Sequence, residues 1–174
     1  MRTTCLYIGD RLPLDTAMQL LTTYDKVVWV TVSDIDLEID AVDRLSLRLG
    51  SIEGQARLLD WFRQNDTPRS IFCELSTFGY IETESSEVRS ATDYLQTQIV
   101  GVTRALEAAL SLNPALMWSF ICPLENDVWS RACEGYFRAL SEGLSVAAPE
   151  AQFTFVSDGQ PLVVSVSNRS ITSS

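Results

Sequence analysis

Short apolar, β-branched runs alternate along the chain with longer segments whose apolar residues recur three and four apart, and this alternation sets out the elements. Thr3 to Ile8 is the first such run; Gly9 and Asp10 stop it, which predicts a strand and a turn. Pro13 opens a predicted helix through Tyr24, with Leu14, Ala17, Met18 and Leu21 as its inward face. Lys26 to Ser33 (KVVWVTVS) is the strongest strand, and its near-continuous apolar character suits a sheet covered on both faces. It runs into the acidic stretch Asp34 to Asp40. Leu45 to Leu49 is a weaker run closed by Gly50, and Ile52 to Gln64 is a predicted helix carrying Ala56, Leu59 and Phe62 in helical period.

Ser70 to Leu75 reads as a third clear strand, followed by a polar run from Ser76 to Glu87. The best helical pattern spans Glu87 to Leu110, where Val88, Ala91, Leu95, Ile99, Val102, Leu106 and Ala109 form one stripe; Asn113 and Pro114 end it. Ala115 to Cys122 is a strand stopped by Pro123, and Asp127 to Gly143 a helix with Val128, Ala132, Tyr136, Phe137 and Leu140 on one side. Gln152 to Val156 and Leu162 to Val166 are strands separated by the turn Gly159–Gln160–Pro161, and the polar segment from about residue 167 is expected to fray. Strand and helix thus alternate about five times with short connections. That rhythm predicts an α/β fold, a Rossmann-like three-layer sandwich with a mostly parallel sheet of about six or seven strands.

Composition narrows the chemistry. With 174 residues, 46% of them hydrophobic, the chain is long enough for one core without disulfides or metal, so residues 1–174 are expected to form a single domain. The 23 acidic and 13 basic residues leave a net charge of −10, which repels nucleic acid and anionic lipid and excludes both as expected partners. There is no histidine, which removes Ser–His–Asp and Cys–His nucleophiles and the common histidine-containing zinc sites. Lys26 is the sole lysine and stands where a strand begins, so lysine-assisted schemes have one poorly placed candidate. The four cysteines, Cys5, Cys73, Cys122 and Cys133, make no CxxC pair and read as separate buried thiols in a reducing compartment. No leader pattern and no membrane-length apolar segment stands in the sequence, so a cytoplasmic location is expected.

Two stretches carry a resemblance to a known family. Ile99–Val100–Gly101–Val102–Thr103–Arg104–Ala105 resembles the helix that precedes the central Ser-bearing strand of the short-chain dehydrogenase/reductase family. Glu134–Gly135–Tyr136–Phe137–Arg138–Ala139–Leu140 is similar to the segment following that family's Tyr-x-x-x-Lys motif. The likeness covers residues 3 to 166 and implies a Rossmann-type fold, in a truncated and degenerate form. Where the family has a glycine-rich turn for the pyrophosphate, this chain has Gly9–Asp10–Arg11–Leu12–Pro13–Leu14, one glycine of three, with Asp10 bringing negative charge. Asp34 and Asp36 stand in the region of the family's ribose-binding acid. In register from Glu134–Gly135, the family's Tyr falls on Asn126 and its Lys on Ser130; its Asn–Ala–Gly-like turn falls on Glu74–Leu75–Ser76–Thr77 and its Ser near Cys122–Pro123. Asn and Ser cannot supply the phenol and ammonium that hydride transfer of this type uses. The expectation is no cofactor, with Gly9 and Asp34 as vestiges of a cofactor site.

The remaining candidates for chemistry are Glu74, Tyr80 and Cys122, each with an ordinary alternative. Glu74 ends an apolar strand, where an arginine at a sheet edge would be its partner; Tyr80, like Tyr94, would otherwise pack; Cys122 would otherwise be a buried thiol lacking a base. Glu82, Glu84 and Glu87 read as a solvated loop and an acidic helix start, and Arg69, Arg89 and Arg104 would grip an anion only if the fold converged them. The family's helices corresponding to Glu87–Leu110 and Asp127–Gly143 pair with symmetry mates, which implies an interface built from Leu95, Val102, Ala105, Ala109, Trp129, Tyr136, Phe137 and Leu140. The ordinary alternative is that all of these face the sheet. The expected function is a non-catalytic, reductase-like structural or partner subunit, forming a homodimer or a heteromer with a reductase-like or pathway enzyme. The enzyme alternative is a small oxidoreductase or isomerase with a rearranged site at the strand ends; a ligand-binding regulatory domain is the third class.

Overall fold

The structure, a computed structural model, describes residues 3–31, 39–65, 68–75, 99–124, 128–157, 159, 160 and 162. Six strands, β1 (Thr4–Ile8), β2 (Lys26–Thr31), β3 (Val42–Ser46), β4 (Ser70–Glu74), β5 (Met117–Cys122) and β6 (Gln152–Ser157), form one sheet in the order β3-β2-β1-β4-β5-β6. All five pairings are parallel. Helix α1 (Leu14–Thr23) covers one face; α2 (Ile52–Gln64), α3 (Val102–Leu112) and α4 (Val128–Ala147) cover the other. This is the Rossmann-like three-layer sandwich that the alternation predicts.

Because successive side chains of a strand point to opposite faces, each strand contributes to two cores. Leu6, Ile8, Val28, Val30, Ile71, Cys73, Trp118 and Phe120 meet Leu58, Phe62, Leu106 and Phe137 of the three-helix layer. Cys5, Tyr7, Val27, Trp29, Phe72 and Ile121 meet Ala17 and Leu20 of α1. Each large apolar side chain so buried contributes roughly 1.5–3 kcal/mol. At the start of α2, the Ser51 hydroxyl accepts from the Gly54 N–H at 3.0 Å and so satisfies one of the first-turn donors. Gln55, one turn on, donates its side-chain amide to the Gly101 carbonyl at 3.0 Å, tying α2 to the π turn at residues 99–101 that leads into α3.

Several sequence expectations are displaced by the packing. In α1, Leu14 and Met18 are exposed and Ala17 and Leu20 are inside, so the buried stripe is rotated from the expected one. In α2, Ala56 is exposed, and Gly54, Leu58 and Phe62 face inward. In α4, Ala132 and Tyr136 point outward, while Ser130, Cys133, Phe137 and Ser141 are buried. β3 starts at Val42, ahead of the apolar run, because this edge strand tolerates Asp43 and Arg44; Lys26 pairs with Asp43 at 2.9 Å across β2 and β3. The expected helix over 87–98, the expected strand over 163–166 and the segment from residue 167 lie outside the described residues.

Candidate functional site at the carboxyl ends of the strands

The chain runs outward from β1 to β3 and then returns to place β4 on the other side of β1. The fork between β1 and β4 is therefore the point where the strand order reverses, the usual location of a ligand crevice in an open parallel sheet. The register pairs Ile8 with Cys73, which sets Gly9 beside Glu74 at the carboxyl end of the fork. Both residues lie on the α1 side of the sheet.

Gly9 is fixed through both of its backbone groups. Its N–H donates to the Val30 carbonyl at 3.0 Å, and its carbonyl accepts a buried hydrogen bond from the Trp29 indole Nε1 at 2.8 Å. A Cβ at this position would stand 2.5 Å from Glu74 Oε2 and 3.0 Å from both Glu74 Cβ and Tyr7 Cε1. The absence of a side chain at Gly9 thus makes room for the Glu74 carboxylate, whose Oε2 is buried. Glu74 does not stand at the sheet edge that its sequence context suggests. β4 is central, and the neighbour that shapes the Glu74 side chain is a glycine on the adjacent strand.

The turn after β1 leads into a helix with an acidic first turn. Leu12 is buried beneath the turn; α1 begins after Pro13 without a side-chain cap and carries Asp15 in its first turn. Asp15 there complements the positive end of the helix dipole, a place that an anionic ligand would otherwise take. Arg44 lies 5.7 Å over the Trp29 ring on the β2–β3 side. Asp34, the other expected vestige of a cofactor site, and Tyr80 lie outside the described residues, as do Asp36, Glu82, Glu84, Glu87, Arg89, Tyr94 and Asn126.

Cys122 ends β5 on the opposite, three-helix side. Burial pushes its thiol up to about 11; the Glu134 carboxylate adds to the rise through its charge and a hydrogen bond, and Arg138 opposes it. Glu134 is itself bound to Arg138, at 2.7 Å to one guanidinium nitrogen and 2.8 Å to Nε, and that guanidinium stacks 4.2 Å over the Phe155 ring. At neutral pH Cys122 is a protonated thiol. Cys73 is raised further by complete burial, with Cys133 and Glu74 nearby, and all four cysteines are free and buried. Ser130, the position carried over from the family's lysine, is buried in α4. Among the described residues no group of three cysteine or carboxylate side chains could hold a metal ion, and no helix is long and apolar enough to cross a membrane.

The residues expected at an interface divide sharply. Val102, Ala105, Ala109 and Phe137 are at most 2% exposed and belong to the core against the sheet, which corrects their assignment to a docking surface. Leu140 is partly buried against the same core. Among the described members of the set, Tyr136 faces outward, at 38% exposure, with its hydroxyl 3.1 Å from Thr103 Oγ1 so that α3 and α4 are linked across their outer edges. Leu95 and the Trp129 side chain lie outside the described residues. The outward face of α4 instead presents Ala132, Gly135, Tyr136, Ala139, Gly143 and the highly exposed Val146. Sequence reading passes over Gly143 and Val146 because small residues carry little periodic signal; Gly143 stands four residues after Ala139 and Val146 three after Gly143, and that spacing is the signal that was available.

This fold is similar to that of several solved short-chain dehydrogenases. The chain superposes on a short chain dehydrogenase family protein of Francisella tularensis with a TM-score of 0.67 and 12% identity, covering 92% of this chain and 70% of that one. On a short chain dehydrogenase of Leptospira borgpetersenii, determined with bound NAD+, the TM-score is 0.68 at 9% identity, covering 90% of this chain and 70% of that one. The aldohexose dehydrogenase of Thermoplasma acidophilum, in ligand-free form, gives 0.63 at 13% identity over 86% of this chain and 63% of that one. Identities this low establish the fold and leave the chemistry to the residues themselves. No protein-family model matches the chain. No curated protein matches it in sequence.

Proposed function

We propose that this chain is a non-catalytic, reductase-like subunit that acts by association, and that its switch-point crevice is closed to dinucleotides. The observation that carries this reading is the Glu74 carboxylate lying in the space left by Gly9. In a dinucleotide-binding turn, glycines allow the backbone to approach a pyrophosphate; here the corresponding space is filled by the Glu74 side chain. Ser130 in the carried-over lysine position and the protonated Cys122 thiol support the same conclusion, since neither offers a proton relay or a nucleophile at neutral pH. The test is calorimetric titration of the purified chain with NADH and NADPH. No heat of binding is expected, and saturable binding of either would overturn the reading.

The association is assigned to the outer face of α4, with a second copy of the chain as the partner. At a net charge of −10 two copies repel unless the contact itself is neutral, and the centre of this face, from Ala132 through Gly135 and Ala139 to Gly143 and Val146, carries no charge. Nothing lies within 4 Å of a Cβ built on Gly135 or Gly143. An antiparallel pairing about Ala139 sets the Tyr136 ring of one copy against Gly143 of the other and brings Arg131 and Glu142 of the two copies to the same flank, the self-complementarity that a two-fold contact requires. Light scattering coupled to gel filtration should give twice the chain mass for the natural protein and a single chain mass for Ala139→Arg, with the same circular dichroism. A monomeric natural protein, or a dimer indifferent to Ala139→Arg, would remove this assignment while leaving the cofactor test to stand by itself.

A further inference from the structure

We draw no further inference here: the strongest candidate, the α1-side surface of β5 and β6 where Ser119 and Thr154 share an exposed hydrogen bond of 2.8 Å, carries nothing because nothing in the structure shows what covers it.

Discussion

The two faces of the sheet are built on different terms. On the three-helix side, α2, α3 and α4 bury a continuous core in which Phe120 is stacked between Phe137 and Phe155 at ring-centroid distances of 4.9 and 4.8 Å. On the α1 side, among the described residues, one ten-residue helix covers a smaller core, and there lie the Trp29 indole bond to Gly9, the Glu74 carboxylate, and the exposed Ser119–Thr154 pair. A parallel sheet is normally closed on both faces, so the division separates a stabilising layer from a layer free to vary its groups. The groups at the switch point can therefore vary while the three-helix side keeps the fold. The three-helix side does not depend on what occupies that crevice.

The largest break in this comparison is expected from Phe120→Ala. Removing a fully buried ring from the centre of the aromatic stack loses its transfer energy and leaves a cavity that a close-packed layer cannot collapse, a loss of about 3–5 kcal/mol. Urea unfolding should show the midpoint falling accordingly with the slope unchanged. A loss under about 1 kcal/mol would mean that the three-helix layer does not carry the stability assigned to it.

Next in size is the fork on the α1 side. Gly9→Ala forces the Glu74 side chain to move, and overpacking of this kind costs about 1–3 kcal/mol. Glu74→Ala in the same chain removes the obstructing oxygen while leaving the tight contacts with the residue-74 Cβ and Tyr7, so the double variant should recover part of the loss, and a double-mutant cycle reads that coupling directly. Independent effects in the two positions would show that Gly9 is kept for another reason, and the argument for a crevice closed by Glu74 would fall with it.

How far the sequence showed this arrangement differs between its parts. Lys26–Thr31 (KVVWVT) is legible as a central strand because both of its faces are buried, and both faces are therefore written in apolar residues. Helix α1 is legible as a helix, but its buried side is not: Leu14, Met18 and Leu20 are all apolar, and only the position of the sheet decides that Leu20 enters the core while the others stay in solvent. In α4 the inward stripe includes Ser130 and Ser141, polar residues that periodicity counts against burial, so the outward Ala132 and Tyr136 read as inward instead. Glu74 stands out in the sequence as a carboxylate ending an apolar strand. Its meaning does not, because Gly9 is 65 residues away and becomes its neighbour only through the β1–β4 register.

The smallest expected effect distinguishes the two faces by a titration. Cys5 lies on the α1 side and Cys122 on the three-helix side, and burial raises their thiols from an ordinary 9.0 to about 12 and about 11 respectively. Below pH 9 both the folded and the unfolded chain keep these protons, and the stabilising difference is fully present. Above it the unfolded chain releases protons that the folded chain retains, so stability must fall as pH rises toward the folded-state values. From pH 9 to about 11 the two falls run alike, and above about 11 the fall continues for Cys5 alone, so there Cys5→Ala should flatten the decline in melting temperature more than Cys122→Ala does. Both substitutions remove a small buried side chain, and the offset they share at neutral pH drops out of the slope. An equal slope in the two variants above about pH 11 would show that the sheet shields its two sides alike.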